Sequence, residues 1–233
     1  MNNFVFGLDL GQVNDYTALA VVERVPPAPY PPGTQPMGTY DLGGGHTRIA
    51  PAPDLRKPEY HVRGLERVPL GTPYTAVVAL VKQRLGASPL LRGAPLAIDQ
   101  TGVGRGIFDL FTQAQLTPYG ITITSGSEVK REGRSLHVPK IDLVSVLIAI
   151  YQSERLKIAA GLVEGPTLIH ELVNFRPKVN IATGNESFEA WRESIHDDLV
   201  LAVAMAVWFA ENAMGRPFEA IGGGVRPVTT IRQ

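Results

Sequence analysis

Residues 199–210, Leu-Val-Leu-Ala-Val-Ala-Met-Ala-Val-Trp-Phe-Ala, carry no charged side chain. The pattern predicts a helix over residues 197–212 that is hydrophobic nearly all round. Such a helix offers no face to water and has to be packed on a sheet beneath other elements. It is too short to cross a bilayer, which needs about 20 apolar residues, so a membrane is not expected as a partner. The chain around it has 233 residues, 44% of them hydrophobic, enough to fill one core. We expect a single domain over residues 1–213 and a flexible tail over 214–233. The chain runs from Met1-Asn2-Asn3 straight into Phe4-Val5-Phe6-Gly7, without a basic leader or a cleavage site. A cytoplasmic protein is the expectation. There is no Cys, which excludes disulfides, thiolate metal sites and cysteine nucleophiles and leaves carboxylates and His for metal chemistry. The formal net charge of +0 excludes a protein coated in basic residues but says nothing of local patches.

Two runs rich in β-branched and aromatic residues, 4–10 and 17–24, flank the turn chemistry of residues 11–15 and predict a β-hairpin. Residues 26–58 are crowded with Pro and Gly and predict an exposed excursion with little regular structure. A third strand follows over 60–68, then a helix from Pro73 to about Leu85. Residues 94–99 form a short apolar run ending in an acid, with a helix expected over 103–116, a further strand over 121–124 and a charged, mobile loop over 130–134. Helices are expected over 140–154 and 166–173, and a second hairpin from strands 175–181 and 186–191. Antiparallel strands first, then strands alternating with helices, predict an α/β fold: a mixed sheet with helices on its faces.

Three placements of acids carry the chemistry. Asp9 stands in the apolar run Gly7-Leu8-Asp9-Leu10-Gly11, where an unaccompanied charge is expensive to bury. Asp99 ends a buried strand and precedes Gln100-Thr101-Gly102-Val103-Gly104, at the kind of strand end where open α/β sheets place their ligands. Asp197 and Asp198 open the apolar helix. Each has a plainer reading: Asp9 closing a turn, Asp99 or Thr101 capping the next helix, one of the tandem acids serving as N-cap. Together they predict convergence on one side of the sheet. Clustered carboxylates raise one another's pKa unless a hard divalent cation neutralises them, and oxygen ligands suit Mg²⁺ or Mn²⁺. Two such ions about 3.5–4 Å apart suit phosphodiester hydrolysis.

In order along the chain, Gly7-Leu8-Asp9-Leu10-Gly11, Ile98-Asp99-Gln100-Thr101-Gly102-Val103-Gly104 and His196-Asp197-Asp198-Leu199-Val200-Leu201-Ala202-Val203-Ala204 resemble the nuclease domain of bacteriophage large terminases. Leu156-Lys157-Ile158, Glu171-Leu172-Val173-Asn174-Phe175 and the Thr183-Gly184 turn extend the resemblance over nearly the whole chain outside the excursion and tail. It implies a ribonuclease H-like, Holliday-resolvase-like mixed sheet with antiparallel first strands and helices on both faces. It further implies a divalent-metal-dependent DNA endonuclease, a hydrolase that cuts phosphodiester bonds during genome packaging, with double-stranded DNA as partner. On matching positions Asp9, Asp99 and Asp197 would be the principal metal ligands, with Asp198 an additional ligand or a supporting acid. Asp15 is read as a turn residue and His196 as a helix-start residue. A large terminase also carries an ATPase motor, and this sequence has no Gly-x-x-x-x-Gly-Lys-Ser/Thr loop. The motor or other packaging proteins are therefore partners implied by resemblance, in the host cytoplasm if the gene is a phage's.

Lys130, Arg131, Arg134 and Lys140 form a local basic cluster in the sequence, and Arg176 and Lys178 sit on the expected second hairpin. They are the candidates for sequence-independent, salt-sensitive phosphate contacts. Two other classes share features of this pattern. Actin-like and sugar-kinase ATPases use an early Asp-x-Gly hairpin and a later Asp-x-x-Gly-x-Gly loop, although they flank a cleft with two such domains. A non-catalytic DNA-binding assembly module could keep the same scaffold.

Overall fold

The computed structural model describes residues 2–11, 15–41, 46–52, 54–101, 104–174 and 197–214. The hairpin forms as expected: β1 (Phe4–Asp9) and β2 (Thr17–Val25) pair antiparallel, with Asp9 opposite Ala18. β5 (Glu59–Val68) adds antiparallel to β2. Beyond β1 come the parallel strands β6 (Leu96–Asp99), β7 (Tyr119–Thr124) and β9 (Ser135–Pro139). β8 (Lys130–Glu132) closes one edge antiparallel to β9, and β10 (Leu156–Ile158) closes the other parallel to β5. The order is β10-β5-β2-β1-β6-β7-β9-β8.

Helices cover both faces. α1 (Tyr74–Gly86) and α2 (Gly104–Gln113) bury Val77, Val78, Val81 and Phe111 against Phe6, Leu8, Leu19, Leu96 and Ile98. On the other face α3 (Lys140–Gln152), α4 (Gly165–Asn174) and α5 (Asp198–Asn212) pack on Val5, Ala18, Ala20, Val22, Val62 and Ala97. α5 is the predicted buried helix, and every residue from Asp198 to Ala210 is buried. It lies directly on β1: a Cβ on Gly7 would stand 2.0 Å from the Ala202 carbonyl oxygen. Only a residue without a side chain lets a helix backbone come that near a strand.

The direction of α5 follows from its ends. The Tyr60 hydroxyl, near the start of β5, donates to the Glu211 carboxylate, while Arg67, near the end of β5, pairs with Asp198 at 3.6 Å. From Asp198 to Glu211 a helix rises about 20 Å, and from Tyr60 to Arg67 a strand extends roughly 23 Å. The helix therefore lies along the sheet with its first turn over the carboxyl ends of the parallel strands.

Three local expectations are corrected. The excursion over 26–58 is exposed but holds its own two-stranded sheet, β3 (Met37–Asp41) with β4 (Thr47–Pro51), apart from the main one. Residues 130–134 are not a mobile loop: β8 pairs with β9 across Gly133, whose φ of 60° makes the tight turn. No strand was expected over 135–139 or 156–158: β9 alternates in burial but is five residues long and β10 only three, and pairing with their neighbours defines them. The hairpin expected over 175–191 and the tail over 215–233 lie outside the described residues.

Candidate active site

The parallel pairing of β1 with β6 aligns Leu8 with Ile98, and one residue further along each strand come Asp9 and Asp99. Side chains alternate along a strand. Leu8 and Ile98 belong to the core under α1 and α2, so Asp9 and Asp99 stand on the opposite side, the side of α5. The hairpin register extends this row through Ala18 of β2 to Arg67 of β5. Arg67 reaches that side through a bulge. Val21 is aligned with Gly64 and Val22 with Val62, leaving Arg63 as the extra residue. One inserted residue inverts the facing of everything after it, so Val62 and Arg67, of opposite parity in sequence, share a face.

α5 brings the tandem acids to the same end. Asp198 is one turn before Ala202, which sits on Gly7. Among the described residues the buried acids are Asp9, Asp99, Asp198 and Glu171, exposed by 9%, 5%, 5% and 3%. Glu171 comes from α4, where it shares the buried stripe with Leu168. Its carboxylate accepts from the Arg67 guanidinium at 2.5 Å and from the Val200 backbone N–H at 3.0 Å. Asp197 occupies the N-cap position of α5 but makes no side-chain cap hydrogen bond. Val200 is the third residue of the helix, whose amide a capping side chain normally takes, so Glu171 caps α5 from another element. Burial pushes the Glu171 carboxyl up to about 7; the Val200 amide and Arg67 oppose this, and the charges of Asp198 and Asp197 add to it. Tyr16 completes the surround, its ring 4.9 Å from the Arg67 guanidinium.

One oxygen of Asp99 accepts from the Thr101 N–H at 2.7 Å, and the Thr101 hydroxyl accepts from the Ile123 N–H at 2.9 Å. The plainer reading gives Asp99 or Thr101 to capping the next helix; the bond that is made holds the Thr101 N–H, ahead of α2, while the strand places Asp99 next to Asp9. Asp197 is half-buried and Asp198 buried. His196 lies outside the described residues, and Asp15 is exposed in the β1–β2 turn.

The donor set fits a hard divalent cation in kind, since every acid here offers carboxylate oxygens and all but the half-buried Asp197 lie out of water. In spacing, no three His or acidic side chains among the described residues stand together closely enough to hold an ion as they are.

The basic candidates divide. Lys130 is aligned with His137, the middle residue of β9, one step beyond the row that runs from Asp99 through Ile121 and Leu136 to Arg131, and so on the opposite face; Lys140 follows Pro139 at the carboxyl end of β9, the same end as the acids. Arg134 lies at the opposite end, donating to the Thr117 carbonyl at 2.8 Å, and Arg131 donates to the Gly133 carbonyl at 2.5 Å. Both guanidinium groups lie over Tyr119, at 4.6 Å and 5.9 Å from its ring. Burial lowers the Arg131 pKa below its usual value. Arg176 and Lys178 are outside the described residues. Sequence reasoning passed over Glu171 and Arg67 as site residues. An acid three positions after Leu168 on an otherwise apolar helical stripe was the available signal for the first; the bulge concealed the second.

No family model and no curated protein sequence matches the chain. Solved structures do match. The large terminase nuclease from thermophilic phage G20c is 21% identical, with a TM-score of 0.50, over 87% of this chain and 80% of that one. The same nuclease with bound zinc aligns at 20% identity and a TM-score of 0.47, over 87% and 78%. The terminase nuclease domain of human cytomegalovirus aligns at 15% identity and a TM-score of 0.47, over 89% and 83%. Antiparallel first strands, mixed strand directions and helices on both faces agree with the expectation set by the resemblance: the chain has the ribonuclease H-like fold of a large terminase nuclease.

Proposed function

We propose that this chain is a divalent-metal-dependent DNA endonuclease of the terminase-nuclease kind. The observation that supports the reading is that Asp9 and Asp99, at the carboxyl ends of β1 and β6, and Asp198, in the first turn of α5, are all buried toward the same end of the sheet. Burying several carboxylates together is costly unless cations join them. Arg67 pairs with Glu171 and Asp198.

Asp9, Asp99 and Asp198, with Asp197 beside them, would hold Mg²⁺ or Mn²⁺, expected as two ions. When bound there, the ions supply an activated water and stabilise the leaving oxygen of a cleaved phosphodiester. Asp9 and Asp99 contribute from rigid neighbouring strands, so their separation is set by strand pairing. The Thr101 N–H fixes the orientation of the Asp99 carboxylate, and α5 delivers the tandem acids with its N-terminal dipole favouring their charge. Among the basic candidates, Lys140, at the carboxyl end of β9, would neutralise backbone phosphates beside this site, with Lys130 reaching DNA from the sheet edge, while Arg131 and Arg134 are engaged with Tyr119. The natural substrate would be double-stranded DNA, and the natural partners an ATPase motor or other packaging proteins in the host cytoplasm.

The test is nicking of supercoiled plasmid. Conversion to open-circular and linear forms is expected with Mn²⁺ or Mg²⁺ and none with EDTA. Failure to cut under any divalent ion, together with a rise in melting temperature on adding ATP, would replace this reading with that of a nucleotide-binding domain. For the lysines, a Lys130→Ala/Lys140→Ala double variant should bind duplex DNA more weakly at every sequence. Two lost phosphate contacts should flatten the dependence of log affinity on log salt by about 1.8. A slope unchanged in a filter-binding titration would place the DNA elsewhere.

A further inference from the structure

Glu171 and Arg67 make an arrangement that helix capping alone does not explain. A Ser or Asp at the N-cap satisfies a first-turn amide locally, and Asp197, which holds that position, makes no such bond. Instead the acceptor comes from α4, is 3% exposed, and binds a guanidinium from β5 with its other oxygen. Arg67 then extends to Asp198 at 3.6 Å. Its own Nε is buried with no hydrogen-bond partner among the described residues. A buried, incompletely satisfied ion pair contributes little net stability, and apolar residues of similar size would do as well or better. What the arrangement does supply is geometry: α4, β5 and α5 are pinned together at the first turn of α5, which carries one acid of the site.

We propose that Glu171 and Arg67 are positioning residues for the metal site, holding the first turn of α5 and the Asp198 carboxylate over the strand ends that bear Asp9 and Asp99. The proposal rests on the nuclease reading above and adds to it that metal affinity is set from α4 and β5. Glu171 ties the Val200 amide to α4, Arg67 ties Glu171 to β5, and the cross-strand row from Arg67 through Ala18 to Asp9 keeps the whole in register.

The experiment measures Mn²⁺ affinity by titration calorimetry without DNA, beside the melting temperature of the metal-free protein, for the unmodified chain, Glu171→Gln, Arg67→Lys and Asp99→Asn. Glu171→Gln keeps shape and one strong acceptor but loses charge. Arg67→Lys keeps charge but loses the planar guanidinium whose Nη2 lies between the Glu171 and Asp198 carboxylates. Each is expected to weaken Mn²⁺ binding about tenfold, as loss of a residue orienting a metal ligand does. Saturating Mn²⁺ should restore nicking to within about threefold. Unchanged Mn²⁺ affinity in both variants overturns the proposal, even if the melting temperature falls, because that pattern belongs to a purely structural pair. If Glu171→Gln does not fold, Arg67→Lys decides by the same criterion. If the unmodified protein takes up no Mn²⁺, or Asp99→Asn takes it up equally well, the metal site itself fails and this proposal falls with it. Metal binding intact with the variants unaffected sinks the positioning role alone.

Discussion

Replacing Asp99 with alanine is expected to abolish plasmid nicking, with a loss on the order of 10³-fold or more, and to leave duplex affinity within about twofold. The size follows from the chemistry: Lewis-acid stabilisation by a bound ion amounts to several kcal/mol, and each 1.36 kcal/mol is a factor of ten. Asp99→Asn is the sharper variant. Its amide oxygen can still accept from the Thr101 N–H, the bond that orders the loop toward α2, so the change removes charge while leaving the turn in place. Asp9→Asn should act alike, since strand pairing sets both residues side by side on one face. Initial nicking rates at saturating Mn²⁺ and a parallel DNA-binding titration separate the two effects. Cleavage by Asp99→Asn at the unmodified rate would remove this residue from the mechanism.

The second large effect concerns stability. Gly7→Ala places a methyl group 2.0 Å from the Ala202 carbonyl oxygen and 3.1 Å from the Ala206 Cβ. The first obstacle is helix backbone and cannot rotate away, so α5 has to lift from β1. We expect a loss at or beyond the upper end of the usual overpacking range, about 3 kcal/mol, measured by urea unfolding. Because α5 carries the tandem acids, Mn²⁺-dependent nicking should fall as well. Gly106→Ala in α2 is the control, since nothing lies within 4 Å of its added carbon. There the gain in helix propensity should leave stability unchanged or raise it by up to about 1 kcal/mol. If Gly7→Ala is as harmless as Gly106→Ala, the close approach of α5 to β1 is wrong.

Much of this architecture is legible in one dimension. The all-apolar run ending α5 demands burial wherever it occurs. The turn residues between two β-branched runs identify a hairpin, and an acid closing a four-residue apolar strand is visible at Asp99. These features depend on neighbours in the chain, and local patterns report on them. The spread of Lys130, Arg131, Arg134 and Lys140 was not legible, because it turns on the pairing of β8 with β9 and of β9 with β7. Sequence proximity grouped four basic residues of which the sheet puts Lys140 at one end and Arg134 at the other, with Lys130 and Arg131 between them on opposite faces.

By itself, then, the sequence determined which segments must be buried, that the first strands pair antiparallel, and which acids stand at strand and helix ends. The tertiary structure alone decided who meets them. A single bulge at Arg63 turns Arg67 onto the acid side, and α4 supplies Glu171 as the cap that Asp197 does not provide. Periodicity is a property of a segment, whereas register and facing arise between segments distant in the chain, and one inserted residue reverses them without altering the local pattern.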